Sequence, residues 1–375
     1  MQPIKHLPGL NALRFFAAFF VVISHANLAL IKLGMYTSCN AVFLNRGGDA
    51  VDFFFTLSGF LITYLLITEV KSTTTISISQ FYLRRVFRIW PLYFLIVLIG
   101  FFLLGYVYPK MYHQPYFTFS IPQGILLYVF FLPNYAAKNF IVGILNPLWS
   151  IGVEEQFYLF WAPIVKWFKG YLKLIIAFFV VITILFYGIV YYKLINIPDN
   201  IERFLLTQKF YAMAIGSAFG YVLYFQLYKY NTSFFASKAM QVIVLFVILY
   251  HFLIGFSFSE YFVFKITLAV LYGLLILNVA AIKNKIITLQ NSTLSYLGVI
   301  SYGIYMYHML VDYFLRIVVQ KTVFLHVPVT VIVVMYYLLL LAITIFIASF
   351  SYTYFEKYFL IIKNKMQRSN LPATA

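Results

Sequence analysis

Seven ionisable side chains interrupt or border the long apolar runs of this 375-residue chain: His25, Asp52, Arg85, Arg88, Glu154, Glu155 and His308. Ionisable groups at membrane depth are costly, so they usually face a protein interior or a water-filled path and mark function. His25 lies about fifteen residues into the first apolar run, Asp52 opens the second, and Glu154 and Glu155 stand in the first turns of a run that starts at Trp149. Three different helices can thus bring an imidazole and carboxylates to one depth. Such a set suits the deprotonation of an alcohol: a neutral imidazole takes the proton near pH 7, while a carboxylate fixes its tautomer and stabilises the imidazolium. The competing reading is a structural polar knot between helices. Several such groups at one level weigh against it.

Arg84, Arg85 and Arg88 stand at the entrance to the third run, in FYLRRVFRIWPLYF. Arg85 and Arg88, three apart, share a helical face and can grip a phosphate or pyrophosphate with forked guanidinium donors. An ordinary positive-inside stop has the same spacing. No GxGxxG or Walker motif accompanies them. His308, in SYGIYMYHML, is seven residues from Ser301, with Tyr305 between them on one helical face. Ser58 and Gly59, halfway down the second run, form a small pair suited to close helix packing. No GxSxG elbow surrounds Ser58, which is therefore not a nucleophile candidate.

The frame that must position these groups is membrane-embedded. The chain is 63% hydrophobic, with 43 Phe and 33 Tyr, more apolar side chain than a soluble domain of this length can hide. The formal charge of +17 sits mostly in short segments between apolar runs, the distribution of topology anchors near anionic lipid headgroups rather than of a nucleic-acid site. One cysteine, Cys39, excludes an internal disulfide and a cysteine-rich metal centre, and no metal is expected. Met1 to Pro8 is short and weakly basic, so 10–31 reads as a retained first helix rather than a cleaved signal.

The fold expected is an all-α polytopic membrane protein of about ten transmembrane helices, over 10–31, 48–68, 89–107, 149–166, 172–192, 204–225, 239–257, 261–281, 295–317 and 328–358. The apolar segment 121–133 is too short to cross as a helix. With ten spans and a cytoplasmic N-terminus, Lys71/Arg84/Arg85/Arg88, Lys166/Lys169/Lys173, Lys229/Lys238, Lys283/Lys285 and Lys363/Lys365/Arg368 all fall on the cytoplasmic side, as does the C-terminus. Residues 108–148, with His113, five prolines and two glycines, then form an external or re-entrant segment, whose broken backbone protein or water must cover. The run 328–358 exceeds one crossing and tilts or protrudes. One membrane domain, 1–360, precedes a short basic tail, 361–375, read as disordered. No internal repeat of regular period is visible.

Taken in order, LNALRFFAAFFVVISH (10–25), VDFFFTLSGFLI (51–62), FYLRRVFRIWPLY (81–93), PLWSIGVEEQFYLFW (147–161) and ISYGIYMYH (300–308) resemble the successive signatures of acyltransferase family 3, the bacterial integral membrane O-acyltransferases that modify surface polysaccharides. The resemblance runs from residue 7 to about 358. It implies a protein of the bacterial cytoplasmic (inner) membrane that takes an acyl group, usually acetyl, from acyl-coenzyme A and delivers it to a sugar hydroxyl of a lipid-linked or exported glycan. It also implies that His25 and Arg14 are essential, that Arg85 and Arg88 serve the donor, and that Glu154 and Glu155 belong to a WSxxVEE signature. Asn11 departs from the family's usual glycine. Many relatives carry a fused external hydrolase-like domain; without it, this chain is expected to transfer directly or to use a separate periplasmic or extracellular partner.

In the mechanism these readings suggest, Arg85 and Arg88, helped by Arg14, hold the coenzyme A phosphates while His25, oriented by Asp52 or by a glutamate of the 154/155 pair, activates the acceptor hydroxyl. Tyr305, Ser150, Trp149 and backbone donors are candidates for the oxyanion, with Ser301 and His308 in support. A covalent acyl-enzyme is the competing route. A glycan exporter or other polytopic transporter is the alternative of another class, since intramembrane charges also mark conduction paths; the inverted repeats and matched broken helices of transporters are not visible.

Overall fold

Apolar runs of this length leave the backbone no partner but itself, so each must close its own hydrogen bonds as a helix. The structure, a computed structural model describing residues 7, 9–35, 42–281, 285–322 and 327–369, is all-helical, with no strand among the described residues. Cys39, Lys283, residues 370–375 and all but Leu7 of the Met1–Pro8 segment lie outside the described residues. The helices are α1 Leu10–Lys32, α2 Gly47–Thr73, α3 Ile78–Phe102 and α4 Tyr108–Tyr112, then α5 Ile121–Val129, α6 Pro133–Asn139, α7 Leu148–Trp167 and α8 Leu172–Tyr191. They continue as α9 Asp199–Leu205, α10 Phe210–Phe225, α11 Leu227–Asn231, α12 Lys238–Leu253 and α13 Phe262–Ala281. The chain closes with α14 Ser292–Val299, α15 Ser301–Thr322, α16 Val329–Ser351 and α17 Lys357–Ser369.

Each apolar run is helical, but the expected count of ten crossings is not established. Six helical stretches are long and apolar enough to cross a bilayer, and α14 with α15 makes a seventh if the pair, bent by 64°, is one span. The run 204–225 is split at Thr207–Lys209 into α9 and the 16-residue α10, and α12 is also 16 residues long, about 24 Å at 1.5 Å per residue. α7 has 20 residues but carries Glu154, Glu155 and Gln156 in sequence. The run 295–317 is two helices, not one. The tail beyond Leu360, expected to be disordered, is helical as far as Ser369, because a π turn over Tyr352–Glu356 carries the last helix onward.

Two devices shape the bundle around the site. α2 and α10 approach until a Cβ at Gly59 would overlap the Met213 carbonyl and one at Gly216 would overlap the Thr56 carbonyl, so only glycine fits either position. The small pair read at Ser58–Gly59 thus does pack a neighbouring helix, and its counterpart is the Gly216-x-x-x-Gly220 repeat. The segment 108–148 folds back as α4, α5 and α6, with Ser120 capping α5 by accepting the Gln123 N–H at 3.4 Å. Its irregular backbone is covered by a buried amide network. Gln156 of α7 donates to the Phe131 carbonyl at 2.7 Å and to Asn134 Oδ1 at 3.1 Å, while Asn134 donates to Thr207 Oγ1 at 3.0 Å and Gln208 to Gln156 Oε1 at 2.7 Å.

Candidate active site

α1 and α15 run side by side and place two imidazoles in contact. His25 Nδ1 and His308 Nε2 are 3.1 Å apart, with ring centroids 4.9 Å apart. His25 Nδ1 also lies 3.1 Å from the carbonyl of Val21, one helical turn back, and His308 Nδ1 lies 2.5 Å from the carbonyl of Tyr305. His308 is fully buried, whereas His25 keeps partial exposure. Tyr305 links this pair to α7: its hydroxyl donates to the Pro147 carbonyl at 3.0 Å and pairs with Ser150 Oγ at 2.7 Å.

On the other side of Tyr305 lies a cavity of about 120 Å³, lined by Arg14, Ser58, Arg85, Arg88, Ser150, Glu154, Tyr158, Ser301 and Tyr305 among others. A second cavity of about 260 Å³ adjoins it, since Arg14, Arg88, Val299 and Tyr302 line both; Glu356 and Lys363 line the second alone. Three guanidinium groups therefore converge on one continuous space. Arg84, their sequence neighbour, does not join them, being paired with Glu69 at 2.6 Å. Arg85 Nε is buried without a protein partner among the described residues, and the Arg85 guanidinium sits over the Phe81 ring at 5.9 Å. Arg14 makes a 3.3 Å contact with Asn11 Oδ1, the residue at which the first motif departs from the family pattern.

The acidic residues are deployed differently from the expectation. Among the described residues no carboxylate contacts His25. Asp52 is buried in an ion pair with Lys209 at 2.6 Å, because the break between α9 and α10 delivers Lys209 to that depth. Glu154 accepts from Ser58 at 2.9 Å and Tyr158 at 3.0 Å. It shares the cavity of Arg14, which precedes His25 by eleven residues, about 16 Å of helix rise. Glu155 accepts from the Trp90 indole at 3.2 Å, and its Oε1 is buried without a protein partner. Trp149 packs edge-on against Phe55, with Lys138 Nζ 6.0 Å from its ring, and Ser301 donates to the Gly298 carbonyl at 2.8 Å.

Sequence reasoning missed Glu356, Lys363 and Tyr158 as cavity residues and Lys209 as the partner of Asp52. Glu356 carried a usable signal, an acid within the last apolar run. Lys209 carried none, since its role depends on a helix break. No cluster of three or more His, Cys, Asp or Glu able to hold a metal occurs among the described residues.

A sequence-family profile described as an acyltransferase domain matches residues 7–353. The chain belongs to this family, acyltransferase family 3, and is a multi-pass membrane protein. The O-acetyltransferase OatA of Staphylococcus aureus strain NCTC 8325 is 32% identical over 169 residues, covering 42% of this chain and 24% of that protein. The peptidoglycan O-acetyltransferase OatA of Listeria monocytogenes is 28% identical over 180 residues, covering 44% of this chain and 26% of its own length. The chain thus matches about a quarter of the length of these relatives. No solved structure matches.

Proposed function

We propose that this protein transfers an acyl group, acetyl in the simplest case, from acyl-coenzyme A on the cytoplasmic face to a hydroxyl of a cell-wall or exported glycan on the opposite face of a bacterial cytoplasmic membrane. The observation that carries this reading is the convergence of Arg14, Arg85 and Arg88 on a space that reaches Ser150 and Tyr305, next to the His25–His308 pair. Guanidinium groups that make no ion pair among the described residues, in a partly desolvated cavity, suit a polyanionic ligand such as a coenzyme A phosphate. The orphaned Nε of Arg85 fits such a ligand, because a buried donor left without a partner is costly. The names of the relatives, O-acetyltransferase and peptidoglycan O-acetyltransferase, support acetyl as the group and a cell-wall polysaccharide as the acceptor. Family membership disfavours the transporter alternative.

In this reading the donor supplies a thioester carbonyl as the acyl source. Arg85, Arg88 and Arg14 hold its phosphates and leave the acyl end toward Tyr305. Glu154, already accepting from Ser58 and Tyr158, keeps the cluster from being purely cationic. His25 Nε2 takes the hydroxyl proton as the acceptor oxygen bonds to the acyl carbon, and returns it to the departing sulfur when the carbon–sulfur bond breaks. The Ser150 and Tyr305 hydroxyls, which line the cavity, serve the developing oxyanion by turning from the Pro147 carbonyl and from each other. The acceptor is a glycan or lipid-linked saccharide, reached directly or through a separate external partner, and the surrounding partners are membrane lipids.

The test is transfer of labelled acetyl from acetyl-coenzyme A to extracted glycan in inverted membranes, with wild type and His25→Ala. The variant is expected to lose transfer while coenzyme A still raises its melting temperature. Retained turnover in the folded variant would overturn the role of His25, and absence of any coenzyme A effect on the wild type would overturn the donor.

A further inference from the structure

The hydrogen-bond geometry of the two histidines fixes where their protons sit. A ring nitrogen facing a carbonyl oxygen must carry hydrogen, because two lone pairs would otherwise oppose each other. His308 Nδ1 faces the Tyr305 carbonyl at 2.5 Å, and His25 Nδ1 faces the Val21 carbonyl at 3.1 Å. Both rings are therefore protonated at Nδ1. His308 Nε2 lies 3.1 Å from His25 Nδ1, which already bears hydrogen, so His308 Nε2 must be the bare acceptor. A proton there would set two donors against each other at a fully buried ring. The remaining nitrogen, His25 Nε2, then carries the free lone pair. No hydrogen bond from another described residue reaches it.

We propose that His308 is the positioning residue of a histidine–histidine dyad, occupying the place a carboxylate takes in other base–orienter pairs. Its bare Nε2 accepts from His25 Nδ1–H, locking the tautomer in which His25 Nε2 is the base. The inference rests on the reading of His25 as the base and adds to it the identity and protonation of its orienter. The proton balance is closed: the acceptor hydroxyl loses one proton to His25 Nε2, giving an imidazolium whose Nδ1–H remains shared between the Val21 carbonyl and His308 Nε2. His308 stays neutral throughout, and its own Nδ1–H stays on Tyr305. A neutral orienter avoids placing an unpaired carboxylate beside a base that is itself neutral before the reaction, a burden that burial would make costly. It also ties the base to Tyr305, whose carbonyl orients His308 and whose hydroxyl meets Ser150 at the cavity.

Two isosteres separate this role from simple packing. Glutamine places its terminal amide where Nε2 lies and can present an acceptor to His25. Asparagine places its amide where Nδ1 lies and keeps only the Tyr305 contact. His308→Gln is expected to retain kcat to within about tenfold, whereas His308→Asn loses at least about 100-fold in kcat with the donor KM unchanged, the scale of a disabled general base. Equal activity of the two variants, whether both active or both dead, would overturn the proposal. A second measurement on the wild type needs no turnover: nitrogen-15 NMR of histidine-labelled full-length protein in nanodiscs, with signals assigned through His25→Gln and His308→Gln. The expected result is Nδ1–H and bare Nε2 on both rings. A protonated Nε2 on His308 would overturn the dyad. Retained transfer by His25→Ala would instead strike the underlying reading of the base, a failure distinguishable from either result at His308.

Discussion

Three arginines within five residues of sequence, Arg84, Arg85 and Arg88, would be interchangeable if they were only a topology signal, and the structure makes them unequal. Arg84 is spent on Glu69 at 2.6 Å, with a quarter of its side chain exposed. Exposed pairs of that kind are worth about 0–1 kcal/mol, so Arg84→Ala should change the donor kcat/KM by less than about fivefold. Arg85 and Arg88 face the cavity without a carboxylate of their own. Removing a charge-assisted hydrogen bond costs about 1.5–3 kcal/mol, which predicts a fall of roughly 10- to 150-fold for each of Arg85→Ala and Arg88→Ala. The double variant should fall by less than the product, because neighbouring groups on one ligand are coupled. Arg88→Lys should recover little, since an ammonium keeps the charge but loses the planar fork. The assay is initial rate of acetyl transfer against donor concentration in inverted membranes, normalised to folded protein. Equal losses from all three single alanine variants would refute the reasoning, because the site would then respond to local charge and not to cavity geometry.

The two remaining predictions concern the frame. Gly216→Ala should lower the melting temperature by destabilising the α2–α10 seam, because its Cβ would press on the Thr56 carbonyl and not on a yielding side chain; overpacking of this kind costs about 1–3 kcal/mol, and an unchanged melting temperature in detergent would contradict the packing. Lys209→Gln strands a buried Asp52 carboxylate and should cost about 3–5 kcal/mol of stability, most of it recovered in Asp52→Asn/Lys209→Gln. That double variant should keep its transfer rate per folded molecule; loss of transfer at unchanged stability would return Asp52 to the catalytic set.

Helix content and the arginine face were legible in the sequence because both follow from local periodicity. Arg85 and Arg88 at i and i+3 must share a face whatever surrounds them, and Gly59 in the middle of an apolar run announces a close neighbour. The polar partners were less legible, because they depend on which helices meet and at what height. The sequence brings His25, Asp52 and Glu154 to one level, yet Asp52 pairs with Lys209, Glu154 shares a cavity with Arg14, and neither carboxylate contacts His25 among the described residues. The sequence-level scheme supplied a carboxylate orienter because acid–imidazole pairs are common. His308 was visible, but nothing in SYGIYMYH reveals that its ring meets a second imidazole. The ten-span count is not established for a related reason: hydropathy does not register the break at Thr207–Lys209 or the bend after Val299.

That bend has a use. Arg14 of α1 and Ser301 at the start of α15 line one cavity; eleven residues further along α1, His25 meets His308 of α15. Between those levels α1 rises eleven residues, about 16 Å, while α15 rises seven, about 10 Å. A 64° bend separates α14 from α15 between Val299 and Ser301. It leaves Gly298, Val299 and Ser301 lining the arginine cavity while Tyr305 and His308 run on to the base. The break thus joins the arginine-lined cavity to the helix that carries the histidine pair, the arrangement on which the proposed transfer relies.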